Sequence, residues 1–380
     1  MKYLYWGGKY ILKPAILNNG SALMQTEVLL VTISQNNYAA ISFLEEKIEC
    51  SGFLSLNYPS YSERIPFVSP AAHFRHLFYF PLVFAFHLFK TPKYTWRFFD
   101  LILYSCGLVP TYKRILRKIN PRVVVFSNDH SIHCRAFHKA ADQLGLKTVY
   151  LQHAQVIPEF PPLDFDLSLL EGQKTLDQYE KAGPISGTVK LIGMPKFDPY
   201  ASKEQKITKI TKVGICLSKQ DDLDFVESTL DRLVTTFPEI KFIVRLHPRD
   251  TRKFEKPDLV TNADPSLSIF EFLSDVHFLI AGNSSVHLEA ALLGISSVYF
   301  EFIDDGNVTD SYGYVQDGLI DSVETYEELE LFLRRMIDKP QNNRYDLINY
   351  YNSAYRTAYF GNSAELAASF IKDQLMSSES

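Results

Sequence analysis

The chain has 380 residues, 46% of them hydrophobic, and a formal net charge of −5 at pH 7. This length suits two or three domains, and the apolar content excludes an intrinsically disordered protein. The four cysteines are scattered without a CxxC pair, which argues against a disulfide framework or a structural zinc site and fits a reducing cytosol. The first residues lack the apolar core of a signal peptide, and we expect no nucleic-acid partner.

After one plausible strand at residues 27–34, residues 64–118 have an unusual composition. They contain nine Lys or Arg, one acidic residue and many aromatic residues. The proline-broken apolar pattern predicts helices, and the longest apolar run, Leu77–Phe89, is shorter than the about 20 residues that a membrane span needs. The segment is therefore either a helical part of the core with solvated charges or a basic, aromatic surface for an anionic membrane.

Regular alternation of strands and helices begins at residue 122. The first block has predicted strands at 122–127, 147–152, 165–170 and 188–193, with helices at 129–144 and 173–182. A lysine-rich stretch at 201–211 predicts a linker. The second block has predicted strands at 212–218, 241–247, 276–282 and 296–302, with helices at 221–236, 266–274, 284–293, 325–338, 342–356 and 363–376. We therefore divide the chain into domains at 1–200 and 212–380.

Polar residues follow two predicted strands in each domain. In the first domain they are Ser127-Asn128-Asp129-His130 and Gln152-His153-Ala154-Gln155, with Glu159 and Glu171 further on. In the second domain they are Arg245-Leu246-His247-Pro248-Arg249 and Asn283-Ser284-Ser285, with Glu289 one turn on. The carboxyl ends of parallel strands share one sheet edge, which is where such sheets bind ligands. We therefore expect a site on each edge, facing a cleft between the domains.

The second domain is suited to a phosphate-bearing ligand, for which we expect a nucleotide. Ser284 and Ser285 begin a predicted helix, where hydroxyls and unpaired backbone N–H groups bind phosphate. Glu289 could accept hydrogen bonds from ribose hydroxyls. Further expected contacts come from Arg245, His247 and Lys219. The alternatives are simple helix capping by the two serines and a solvated Glu289.

The first domain carries the candidate acid/base groups. Transfer to a hydroxyl needs a base that takes its proton, and His153 is the first choice because histidine titrates near neutrality. Asp129 or Glu159 is second, and His130 and Glu171 are further candidates. Neither a GxGxxG after a strand nor a GxxxxGK[ST] occurs, which argues against dinucleotide oxidoreductases and P-loop ATPases.

The order of these motifs resembles the GT-B transferases of bacterial surface polysaccharide synthesis, in particular CMP-sialic acid and CMP-Kdo transferases and CDP-glycerol glycerophosphotransferases. Those families pair a His-Pro motif, here His247-Pro248, with a later Ser-Ser motif, here Ser284-Ser285, to bind the cytidine nucleotide. TVYLQHA (148–154) is similar to a segment of their acceptor domain, whose histidine is a proposed base in the glycerophosphotransferases, although Ala154 replaces the usual Gly. LIGMPKFDPY (191–200) resembles their domain junction.

The resemblance implies an α/β fold of the GT-B type: two Rossmann-like domains facing a central cleft, with residues 64–118 as a helical basic insertion. It implies a glycosyltransferase that moves a sugar from a nucleotide-activated donor, expected to be a CMP-linked ulosonic acid such as Kdo or sialic acid, to a glycan or lipid-linked acceptor. No metal or other cofactor is expected, and the location is the inner face of the cytoplasmic membrane, reached through residues 64–118. The alternatives are a CDP-glycerol-type polyol phosphotransferase, a UDP-sugar 2-epimerase of the same architecture and a non-catalytic nucleotide- or glycan-binding protein.

Overall fold

A computed structural model describes residues 16–17, 23, 26–57, 62, 64–69, 72–156, 160–247, 250–252, 260–264, 266–303, 309–340 and 345–377. Over these residues the chain forms two β-sheets, one from strands before residue 192 and one from strands after residue 211. Each sheet has apolar clusters on both faces, so each is covered by helices on both sides. The predicted pair of Rossmann-like α/β domains is confirmed.

The first sheet has the strand order β1-β4-β3-β2-β5-β6-β7-β8. Its strands are Ile16–Leu17 (β1), Val28–Thr32 (β2), Ser51–Ser55 (β3), Phe67–Val68 (β4), Val123–Phe126 (β5), Lys147–Leu151 (β6), Leu167–Leu170 (β7) and Thr188–Leu191 (β8). β1 pairs antiparallel with β4, and all other neighbours are parallel. Because successive side chains alternate between faces, Val28 and Leu30 join the apolar cluster on one face and Leu29 and Val31 the cluster on the other.

The helices of the first domain are Gln35–Ile41 (α1), Phe43–Lys47 (α2), Phe80–Lys90 (α3), Pro92–Arg97 (α4), Phe99–Ser105 (α5), Leu108–Ile119 (α6), Ile132–Asp142 (α7) and Gln173–Ala182 (α8). α7 begins three residues later than predicted, because Ser131 caps it by accepting from the Cys134 N–H. It ends before Gly145, whose φ of +69° suits the residue after a helix, as predicted.

The second sheet is parallel throughout, with the order β11-β10-β9-β12-β13-β14. Its strands are Lys212–Cys216 (β9), Lys241–Arg245 (β10), Val260–Asn262 (β11), Phe278–Ala281 (β12), Ser296–Tyr299 (β13) and Asp321–Ser322 (β14). Its helices are Leu223–Thr236 (α9), Ile269–Leu273 (α10), Val286–Leu292 (α11), Tyr326–Asp338 (α12) and Tyr345–Tyr351 (α13). A 3-10 helix, Pro195–Lys203, joins the two domains.

The basic aromatic segment is helical from Ala72 onward, as predicted, whereas Phe67 and Val68 at its start form β4 and not a helix. A 3-10 helix, Ala72–Tyr79, precedes α3, α4 and α5, and many aromatic side chains of that region are exposed. In contrast, α6 is amphipathic and buries an apolar face that includes Tyr112 and Leu116 in the domain core. No helix in the described ranges has the length and apolar character needed to cross a bilayer.

The last helix, Ser363–Ser377 (α14), follows the second domain in sequence but packs on the first. Ala367, Ala368 and Ile371 belong to the apolar cluster on one face of the first sheet. At the end of α13 the backbone passes close to the first domain, because a Cβ atom on Gly172 would lie 2.4 Å from the backbone carbonyl group of Tyr351. The chain therefore crosses between the domains a second time after α13.

Candidate functional site

The carboxyl ends of β10, β9 and β12 lie side by side in the second sheet. Cys216, the last residue of β9, is in register with Arg245 of β10 and with Ala281 of β12. The segments that contain His247 and Ser284-Ser285 follow directly. The predicted common edge is thus confirmed for the second domain.

Ser284 and Ser285 differ in what their hydroxyls do. Ser284 Oγ accepts from the Val286 N–H over 3.4 Å, whereas the Ser285 side chain makes no capping hydrogen bond to α11. Ser285 also lines the cavity between the domains, and Ser284 does not. The simple capping role therefore accounts for Ser284, while Ser285 presents its side chain to the cleft.

Three other predicted nucleotide contacts lie away from the cavity lining. Arg245 Nη2 donates to the Leu267 carbonyl over 2.7 Å, and its Nη1 is buried without a hydrogen-bond partner among the described residues. His247 and Lys219 are exposed in the loops after β10 and β9. Pro248, predicted from the His-Pro motif, is outside the described residues.

In the first domain Asp129 is buried, and both of its carboxylate oxygens have partners. Oδ2 accepts from the Tyr179 hydroxyl over 2.6 Å, and Oδ1 lies 3.0 Å from His130 Nδ1. Asp129 is therefore placed to orient its neighbours, and it does not line the cavity. Glu159, the other second-choice base, is outside the described residues.

His153 lines the cavity at the end of β6. Its ring stacks at 6.4 Å from the ring of His130, and its Nδ1 is buried with no hydrogen-bond partner in the part of the chain that the structure describes. Burial lowers the pKa of His153 to about 4; His130 and Lys196 act in the same direction and Asp129 opposes them. The imidazole is therefore neutral at physiological pH, which is the form that can accept a proton, but the expectation that it titrates near neutrality is wrong because the ring is buried.

A cavity of about 420 Å³ is shared by the two domains. The first domain contributes polar side chains that include Asn36, His153 and Gln155, and the domain junction contributes Met194 and Lys196. The second domain contributes Ser285, Glu289, Tyr312 and the apolar side chains of Ile269 and Leu288. The predicted base and two predicted nucleotide contacts therefore face one compartment, which has the size and mixed lining of a small-molecule site.

Lys196 and Glu289 form an ion pair inside this cavity. Lys196 Nζ donates to Glu289 Oε1 over 3.0 Å, with side-chain exposures of 34% and 9%. Desolvation disfavours the charged lysine, but the carboxylates of Glu289 and Glu171 outweigh it and raise the pKa of Lys196. Glu289 is therefore a buried, paired residue, and the alternative of a solvated side chain is wrong.

Glu171 lies behind the cavity wall. Its Oε2 accepts from Gln155 Nε2 over 2.7 Å, and its backbone N–H donates to Gln152 Oε1 over 2.8 Å. Burial raises the pKa of Glu171 to about 7; Glu289 adds to this, and Lys196 opposes it. A carboxyl group poised near neutrality beside a cleft is typical of acid/base sites.

Three polar residues of the cavity lining were not among the predicted contacts: Asn36, Lys196 and Tyr312. Asn36 lies in the first turn of α1, which follows β2. His153 is selected because it is a polar residue after a predicted strand, and the same criterion fits Asn36. The sequence pattern of the first 60 residues is too weak for that criterion to be applied there. Lys196 lies in the junction segment at 191–200. Tyr312 lies in a loop for which the sequence carries no comparable signal.

No protein-family model matches this chain, and no curated protein matches it in sequence. Among solved structures it is similar to the calicheamicin glycosyltransferase, with 11% identity over 93% of this chain and 99% of the other and a TM-score of 0.59. It is similar to the kitacinnamycin glycotransferase, with 13% identity over 92% and 99% and a TM-score of 0.57. It is also similar to Methanocaldococcus jannaschii UDP-GlcNAc 2-epimerase, solved with UDP-GlcNAc and UDP, with 12% identity over 91% and 99% and a TM-score of 0.55. The predicted GT-B fold is confirmed.

Proposed function

We propose that this protein is a glycosyltransferase that uses a nucleotide-activated sugar. The observation that supports this most directly is the single cavity in which His153 of the first domain faces Ser285 and Glu289 of the second. A donor and an acceptor that are held in the same cavity can be oriented to react directly with each other. The donor would bind the second domain, and the acceptor would bind the first.

We propose a CMP-linked ulosonic acid, such as Kdo or sialic acid, as the donor. This rests on the sequence resemblance, in which a His-Pro motif and a Ser-Ser motif bind the cytidine nucleotide. The hydroxyl of Ser285, which caps no backbone N–H, is free to bind the donor phosphate. Lys196 supplies positive charge in the same cavity, and His247, Arg245 and Lys219 stay proposed contacts from the resemblance.

In the proposed reaction an acceptor hydroxyl attacks the anomeric carbon of the sugar. The new carbon–oxygen bond forms as the bond to the phosphate oxygen breaks, and CMP leaves with the bonding electron pair. The neutral imidazole of His153 takes the proton of the hydroxyl. Lys196 and the donors near Ser285 stabilise the charge that develops on the leaving phosphate.

We propose a glycan or lipid-linked acceptor at the inner face of the cytoplasmic membrane. The support is the exposed aromatic and basic surface within residues 64–118. An enzyme bound to that membrane surface would encounter a membrane-bound acceptor by diffusion in the plane of the membrane.

The second candidate is a UDP-sugar 2-epimerase, and Glu171 is the observation that favours it. A carboxyl group with a pKa of about 7 beside the cavity could exchange a proton with a sugar carbon. A CDP-glycerol-type polyol phosphotransferase would use the same cavity with a different donor. Neither the epimerase nor a non-catalytic binding protein needs an acceptor hydroxyl beside His153.

Nucleotide preference separates these candidates. We expect CMP and CDP to raise the melting temperature of the chain more than UDP and GDP do. Donor hydrolysis should then be measured with CMP-sialic acid, CMP-Kdo, CDP-glycerol and UDP-GlcNAc. Equal shifts with all four nucleotides would contradict the cytidine assignment, and conversion of UDP-GlcNAc without an acceptor would establish the epimerase instead.

A further inference from the structure

Exposed hydrophobic side chains are concentrated in one short part of the chain. Of the fourteen large hydrophobic residues exposed among the described residues, ten lie within residues 78–101, which we call the aromatic hairpin. None of the eleven residues of α3 is buried, and Phe89 is 92% and Leu82 73% exposed. Soluble monomeric proteins rarely expose such a contiguous apolar patch unless it binds something.

The aromatic hairpin has its own internal packing. Phe80 packs edge-on against Phe99 at 5.4 Å between ring centroids, and Phe84 packs edge-on against Trp96 at 5.3 Å and Phe99 at 5.5 Å. The earlier residue, Phe80, contacts the later residue, Phe99, and Phe84 contacts the earlier Trp96. This order is antiparallel, so α3 packs back against α4 and α5. The exposed side chains therefore lie on an ordered helical hairpin.

Hydrogen bonds connect the residues just after the hairpin to α7 of the first domain. The hydroxyls of Tyr104 and Tyr112 lie 2.7 Å and 2.6 Å from the two ring nitrogens of His133, which is in the first turn of α7. The ring of Tyr104 also packs edge-on against His73 at 4.9 Å. The chain that follows the hairpin is therefore attached to the domain that carries His153.

Cationic groups accompany the exposed rings. Lys90 Nζ lies 4.5 Å from the centroid of the Phe86 ring, and the Arg97 guanidinium carbon lies 5.5 Å from that of Phe98. The aromatic hairpin contains one further lysine, Lys93, one histidine, His87, and one acidic residue, Asp100. α6 follows with four more basic residues, in a chain whose net charge is −5.

We propose that the aromatic hairpin inserts its exposed rings into the headgroup region of an anionic phospholipid bilayer. Aromatic and aliphatic side chains beside Lys and Arg match both halves of such an interface, the apolar chain region and the negatively charged headgroups. This narrows the proposed membrane contact from residues 64–118 to residues 78–101, because α6 buries its apolar face in the core. It rests on the proposed membrane location but not on the donor or on transfer activity.

The first test is sedimentation of the full chain with vesicles of phosphatidylcholine alone or with phosphatidylglycerol added. We expect binding to the anionic vesicles at low salt and partial release at high salt. Replacing Leu82, Phe86 and Phe89 by serine should abolish binding. The matched control replaces Leu331, Tyr359 and Met376, exposed hydrophobic residues outside the hairpin, and should bind like the original chain.

Charge is tested separately with the substitutions Lys90→Gln, Lys93→Gln and Arg97→Gln. Each basic residue near an anionic surface contributes roughly fivefold to partitioning, so the triple variant should bind roughly 100-fold more weakly. A control with the exposed Lys181, Lys241 and Lys339 changed to Gln has the same net charge. Equal loss in both variants would show that overall charge, and not the hairpin, attracts the vesicles, and would overturn the proposal.

Insertion is measured by fluorescence. The sequence has two tryptophans, so a Trp6→Phe chain reports from Trp96 alone. We expect its emission to shift to the blue with anionic vesicles and to be quenched by brominated lipid chains. Absence of both effects would overturn the proposal. It would also be overturned if the original chain does not bind vesicles and instead forms a concentration-dependent dimer that the serine variant does not form. Nucleotide binding measured without vesicles stays a separate test of the proposed transferase.

Discussion

The ammonium group of Lys196 lies 3.0 Å from the Glu289 carboxylate, and this ion pair links the two domains inside the cavity. Lys196 follows the last strand of the first sheet, whereas Glu289 is on α11 of the second domain. The glutamate is much the more buried partner, so it depends on the lysine for compensation of its charge.

We expect Lys196→Met to lower the melting temperature and to weaken CMP binding, because Glu289 would be left without its cation. The free energy of unfolding should fall by about 1–3 kcal/mol, and the partial exposure of Lys196 places the effect at the lower end of this range. Lys212→Met is the matched control, since it breaks a more exposed pair with Asp275 away from the cavity. Calorimetric titration and thermal unfolding measure both effects. Equal losses in the two variants would contradict a special role for Lys196.

Ser285→Ala should weaken CMP binding about tenfold, the effect of one hydrogen bond to a charged phosphate. Ser284→Ala is the control at the neighbouring position, because the Ser284 hydroxyl already accepts from the Val286 N–H. It should cost a little stability and leave the dissociation constant unchanged within about twofold. If Ser284→Ala has the larger effect on affinity, the donor phosphate lies elsewhere.

His153→Ala should lower the transfer rate by about 10²–10⁴, the usual contribution of a general base, while CMP binding is retained. His130→Ala tests the adjacent histidine, whose ring stacks on that of His153 and contacts Asp129. We expect a smaller loss there, since His130 would act only by orienting its neighbours. Transfer rates at saturating donor distinguish the two. Full activity in His153→Ala would make Asp129 and Glu159 the next residues to test.

Glu171→Gln should change how stability depends on pH. The folded chain keeps a proton on Glu171 up to pH about 7, whereas the unfolded chain releases it near the ordinary value of 4.5. The free energy of unfolding of the original chain therefore falls as the pH rises through this window and stays low above it. The variant lacks this loss, so it should gain about 2–3 kcal/mol relative to the original chain between pH 5 and 8.

Urea unfolding at several pH values measures this difference. Glu180→Gln, at an exposed position on α8, is the control and should show no trend with pH. A constant difference between Glu171→Gln and the original chain across the range would show that Glu171 is ionised in the folded protein throughout.

The sequence predicted the regular part of the fold because there the apolar periodicity is strong. β5, β6 and β9 consist mostly of buried residues, and a polar residue follows each of them within two positions. The helices between them have recognisable starts and ends. β1, β4 and β14 have two residues each, too few to produce a pattern. Their pairing depends on long-range contacts that local sequence does not encode.

The same limit applies to the site. His153 and Ser285 could be selected because each follows a predicted strand, and strand ends converge on a sheet edge. The meeting of His153 with Lys196 and Glu289 depends on how the two domains face each other, which no local pattern gives. The return of α14 to the first sheet is of the same kind, since its sequence shows a helix but not its partner.

That return gives the molecule two covalent connections between its halves, one through residues 192–211 and one after Tyr351. Two connections allow one domain to rotate relative to the other about the line that joins them, and they resist translation of one domain past the other. We therefore expect any relative motion of the two domains to be limited to rotation about that line. A chain cut at residue 211 would separate α14 from Val28 and Val149, its partners in one apolar cluster. We expect residues 1–211 alone to aggregate in a solubility assay and to become soluble when residues 212–380 are co-expressed.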